Sequence, residues 1–153
     1  MGKLVHAAFA AITIAGSVIY ANAQTARNSV SGAEVTGTFR MSFTGTFKDS
    51  SNEIRILALG KGKLRMAFDL QHPYTMSGGG PMVNIGNAEG IAEIAGDRAA
   101  FASGEGPCRI TINFVRPGTI KVSQQGTDAD CGFGANVMAD GTYKKVSSAR
   151  PKF

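Results

Sequence analysis

The sequence predicts an all-β fold, an antiparallel meander of about eight strands that closes, or nearly closes, into a small barrel. Three observations carry this expectation. Apolar and polar residues alternate with period two over several stretches, which is the pattern of a strand with one buried face. Glycine is abundant, 20 of 153 residues, and charged residues make up only 18%, against roughly 7% and about 25% in an average domain. No window carries a helical period. A meander of this size closes its open edges by forming a barrel.

Taken in order, residues 24–33 (QTARNSVSGA) are small and polar and read as a flexible lead-in. From Val35 the odd positions run Val35, Gly37, Phe39, Met41, Phe43, Gly45 and Phe47, against threonine, serine and basic residues at the even ones. Thirteen residues are long for one strand, so Gly45 is expected to mark a bend. Ile54–Leu59 and Leu64–Leu70 flank Gly60-Lys61-Gly62-Lys63 as a hairpin, with Leu64, Met66, Phe68 and Leu70 inward and Arg65, Ala67 and Asp69 outward. Residues 71–90 form the least regular stretch, with at most a short strand near Met82–Ile85. A second hairpin turns at Gly96-Asp97-Arg98. Cys108, Ile110, Ile112 and Phe114 alternate inward, Pro117-Gly118 turns the chain, and Ile120 and Val122 continue beyond it. A penultimate segment runs from Cys131 to about Met138, and Asp140-Gly141 leads into Tyr143–Val146. The domain thus spans 34–146, followed by a basic tail, 147–153.

The first 23 residues have the layout of a signal peptide. Lys3 precedes the apolar run Ala7–Ile14, and Ala21-Asn22-Ala23 supplies the small residues of a cleavage site. Cleavage removes Lys3 and no acid, leaving 130 residues with 15 basic and 11 acidic side chains. The expected location is the periplasm or the exterior. There the only two cysteines, Cys108 and Cys131, are expected to pair, because an antiparallel return brings one beside the other.

The stretch Cys108–Phe153, with Cys-Gly-Phe-Gly at 131–134 and Asp-Gly-Thr-Tyr-Lys at 140–144, resembles the C-terminal half of small secreted bacterial proteins of unassigned function. The layout of leader, meander and one late disulfide is similar to calycin-like barrels. The resemblance implies the fold. The Gly-x-Trp signature of the lipocalins has no counterpart, as the chain holds no Trp.

Catalytic constellations do not occur in the sequence. His72 is the only histidine after the leader, and neither a Gly-x-Ser-x-Gly elbow nor His-Glu-x-x-His is present. Asp128 and Asp130 fit turn formation better than calcium, which needs six or more oxygens. The glycine-rich stretches at 60–63 and 78–80 precede no helix, so they read as turns rather than phosphate cradles. No metal or cofactor is called for. Net +4 is modest, and the strands lack the clustered exposed aromatics of a nucleic-acid binder. Lys145–Lys152 do not alternate as a lipid-spanning strand would. The expected function is therefore an exported, non-enzymatic binding module. Phe39, Met41, Phe43, Met66, Phe68 and Phe114 would line a lumen for a small apolar ligand or envelope component. His72, Tyr74 and Met76 would lie in a lid over its mouth. The alternative is a protein-directed inhibitor or interaction factor acting through exposed loops.

Overall fold

A computed structural model describes residues 29–103 and 106–153. Eight antiparallel strands follow one another around a closed barrel in sequence order. They are β1 (Gly37–Ser42), β2 (Ser51–Gly60), β3 (Lys63–Thr75), β4 (Pro81–Ala95), β5 (Arg98–Ala102), β6 (Arg109–Arg116), β7 (Thr119–Gln125) and β8 (Gly141–Ser147). Closure joins β1 to β8, with Phe39 opposite Lys145 and Arg40 opposite Lys144. The meander expected from the alternation is present, and no helix among the described residues is long and apolar enough to cross a membrane. The signal-peptide segment and residues 24–28 of the lead-in lie outside the described residues.

Alternation sets the interior. Phe39, Ile54, Ile56, Met66, Ala92, Ala99, Ile110, Ile112, Ile120 and Tyr143 are completely buried. Phe68 and Phe101 pack with ring centroids 4.9 Å apart, and Phe39 meets Phe114 edge-on at 6.4 Å. Such aromatic pairs bury large area at favourable geometry.

Both ends of the barrel are stoppered. At one end sits the one-turn helix α1 (Gly32–Val35). The Ser31 hydroxyl accepts the Glu34 N–H while the Glu34 carboxylate accepts the Ser31 N–H, a reciprocal capping box. Part of the polar lead-in is therefore a helix cap, and Val35 enters the core. Lys145 is the inward-facing cation of β8. Its ammonium donates to the carbonyls of Ala33, Glu34 and Thr36 at 3.1, 2.6 and 2.9 Å, tying α1 to the closing strand.

At the other end, residues 126–140 do not form the expected strand but fold as a plug. Ala129–Cys131 make a short 3-10 turn, and Cys131, Phe133, Val137 and Ala139 are buried. Cys131 is bonded to Cys108, with Cα atoms 4.9 Å apart, so the expected disulfide is present and anchors the plug beside β6. Asp130 accepts the N–H of Thr127 at 2.7 Å and its hydroxyl at 2.9 Å. Asp128 accepts the N–H groups of Ala129 and Asn136. These aspartates act as turn formers.

Two further differences concern strand length. β1 ends at Ser42 rather than running through Phe47, because Gly45–Phe47 coil into a 3-10 turn, Gly45 taking φ +63°. The bend foreseen at Gly45 is real, and the strand stops before it. Apart from the turn at 76–80, the stretch 71–90 is regular: β3 and β4 pair without interruption from Lys63–Glu93 to Thr75–Pro81. Lastly, the C-terminal residues fold back on the outer wall. The Phe153 ring lies 4.6 Å from the Arg65 guanidinium and 5.8 Å from that of Arg55, and Arg55 donates to the Lys152 carbonyl.

Candidate functional site

Of the residues expected to line a lumen, Phe39, Met66, Phe68 and Phe114 are buried inside the barrel, and Met41 is partly buried against the core. Phe43 lies past the end of β1 and is only partly buried. The interior they share is filled. Phe39, Ile54, Ile56, Met66, Ile110, Ile112 and Ile120 expose no surface to a water molecule, so no water-sized void touches them. An eight-stranded barrel is at the size where side chains alone fill the interior.

The mouth above this core is closed by the plug rather than by residues 72–87. Phe133 lies on Gly86 so closely that a Cβ there would stand 2.8 Å from its ring, and a Cβ on Gly134 would stand 2.6 Å from the Ile85 carbonyl oxygen. Glycine at both positions lets the plug meet β4, where Gly134 N–H donates to Ile85 O at 3.0 Å and Asn84 Nδ2 to Ala135 O at 2.8 Å. Deeper in, the Tyr143 hydroxyl donates to Ala139 O at 2.9 Å. Burial, with the Asp140 charge adding to it, pushes this phenol far above its usual range, although the neighbouring Asn52 amide opposes the shift. Asn52 Oδ1 accepts the N–H of Gln71 at 2.7 Å, where β3 leaves its pairing with β2. At the opposite end, burial lowers the Lys145 pKa while Glu34 raises it.

His72, Tyr74 and Met76 belong to a feature that the sequence did not suggest. Pairing of β2 with β3 stops at Glu53–Asp69, and β4 meets β5 only over Ala92–Ala95. Six pairs of the β3–β4 ribbon, from Leu70–Gly86 to Thr75–Pro81, therefore extend past the sheet as an arm. His72 and Tyr74 stack on its inner side, rings 6.3 Å apart, and Met76 is exposed at the tip. Its outer side carries Pro73, Val83 and Ile85, the last two 47% and 62% exposed. Between the arm and the Gly45–Phe47 turn lies a groove of about 350 Å³ lined by Phe47, Ser50, Pro73, Pro81, Met82 and Val83. Residues 70–87 contain no Lys, Arg, Asp or Glu.

The arm's backbone is guarded against strand addition. Gln71 points its N–H sideways to Asn52, so Pro73, two residues on, faces the same open edge and has no N–H to offer. Pro81 stands likewise two positions before Val83 and four before Ile85 on the other edge. Prolines at open edges block pairing with another chain, which leaves the side-chain face of the arm as the part open to contact. The sequence signal for the arm is the absence of charge over residues 70–87, which the turn-forming glycines at 78–80 mask.

No family model matches the chain, and no curated protein and no solved structure matches it either.

Proposed function

We propose that this protein is an exported, non-enzymatic interaction module that binds another protein through its β3–β4 arm. The observation that supports this most is the arm itself, an uncharged ribbon whose apolar side chains stand exposed on a rigid scaffold. Surface clusters of this kind mark interaction sites more often than scattered single residues do, and a groove with an apolar floor suits one anchoring side chain of a partner. The packed interior argues for binding on the outside rather than in the lumen. The disulfide agrees with an oxidising compartment. The outer wall carries the ion pairs Arg40–Glu53 and Arg55–Asp69, both at 2.8 Å, and Arg65–Glu89, which suit water rather than lipid.

Photo-crosslinking in the producing cell tests this reading. A photoreactive residue at Ile85 should give a discrete protein adduct, whereas one at Val146, also exposed but on another strand, should give none. Equal adducts at both positions, or none at Ile85, overturn it.

A further inference from the structure

At the end of the barrel opposite the arm tip, the outer wall holds a cleft of about 480 Å³ lined by Lys61, Gly62, Lys63, Glu93, Ile94, Ala95, Arg98 and Ala100. Three cations converge on it. Elsewhere on the wall, Arg40, Arg55 and Arg65 are each neutralised by a carboxylate, but Lys61, Lys63 and Arg98 form no ion pair among the described residues. Glu93 sits opposite Lys63 in register and leaves the cleft with an excess of two positive charges. Uncompensated charge of one sign in a concave site attracts an anion.

The floor is apolar. A second cavity, of about 200 Å³, lies beneath α1 between Val30, Val35, Ala58 and Leu64 and has Gly62, Lys63 and Ile94 in common with the lining of the cleft. A cationic rim beside a short apolar slot fits one class of ligand, a charged headgroup on an aliphatic chain.

The walls are fixed in place. Lys61 has φ +52° and Gly62 φ +72°, the left-handed pair of a tight hairpin turn. Ile94 N–H donates to Gly62 O at 2.8 Å, tying that turn to β4. The facing turn is held by Val30 N–H to Gly96 O at 3.3 Å and Phe114 N–H to Asp97 O at 2.8 Å. Such preorganisation lowers the cost of binding.

We propose that this cleft is a binding site for a small anionic amphiphile, its headgroup held by Lys61, Lys63 and Arg98 and its chain lying along Ile94 towards Val35. The site is separate from the arm and does not depend on it.

The test is a ¹H–¹⁵N NMR titration of the oxidised mature chain with sodium hexanoate, in parallel with hexyl phosphate, 1-hexanol and inorganic phosphate. Hexanoate or hexyl phosphate should shift residues 60–63, 93–98 and 30–35 saturably, and comparison of the two ranks carboxylate against phosphate headgroups. Hexanol and inorganic phosphate should each bind at least about tenfold more weakly, the scale of one charge-assisted contact. The double variant Lys61→Gln/Arg98→Gln should lose about tenfold or more in affinity, and Glu93→Gln should gain a few-fold, with the rest of the spectrum unchanged. Inorganic phosphate binding as well as hexyl phosphate would mean an adventitious ion only. That result, shifts outside these segments, or hexanol binding as well as hexanoate, overturns the proposal.

Discussion

Tyr143 and Lys145 stand two residues apart on β8 and face inward, one towards each stopper. Tyr143 donates to the plug through Ala139 O, and its pKa is raised mainly by burial. A phenol whose folded pKa lies above its unfolded value, about 10, stabilises the fold below pH 10. That contribution is lost as the pH rises past 10, because the unfolded chain alone ionises there. Tyr143→Phe should cost about 1 kcal/mol at pH 8, from the orphaned carbonyl. The gap in Tm between wild type and variant should narrow between pH 9 and 11, and a constant gap would contradict the assignment. Lys145→Met should cost about 1–3 kcal/mol, since three carbonyls lose a charged donor, with urea unfolding as the measure. Neither role was visible in the sequence. Period two does place Tyr143 and Lys145 on one face, but a lysine on an inward face reads as a strand end until the helix it caps is known.

At the scale of elements, the clean alternations in β2, β3 and β6 were legible because each strand buries one face along most of its length. Where a strand leaves the barrel, that periodic signal weakens. β4 shows this: Met82, Val83 and Ile85 stand exposed on the arm rather than turned to the core, so residues 71–90 look irregular although all but the 76–80 turn belong to one paired ribbon. β1 shows the reverse, since Phe43 and Phe47 continue the period past the point where Gly45 coils the chain. The plug between β7 and β8 escaped because Cys131, Phe133 and Val137 mimic a strand's spacing, while Asp128 and Asp130 bend the backbone by capping it. The cysteine pairing needed only compartment and topology and was legible. Gly86→Ala should push Phe133 off β4 at a cost of about 1–3 kcal/mol. Reduction of Cys108–Cys131 should cost about 3 kcal/mol by release of the loop it closes. In both cases amide exchange should rise across 127–139 before it rises in β2 and β3. Uniform loss of protection would show that the plug is not a separate unit.

For the molecule as a whole, a filled barrel stoppered by α1 and the plug forms a frame, and the proposed binding falls to what projects from it or opens on its wall. The variant Val83→Asp removes apolar surface already exposed to water. It should leave stability within about 0.5 kcal/mol while abolishing the adduct formed by a photoreactive residue at Ile85. The central claim, that the lumen is core and not a ligand chamber, is tested most directly by methyl NMR. The methyl groups of Ile54, Ile56, Met66 and Ile110 would be followed while the uncharged dye N-phenyl-1-naphthylamine is titrated in. The account predicts that these signals stay in place. Saturable shifts confined to these four residues would contradict it and return the binding site to the interior.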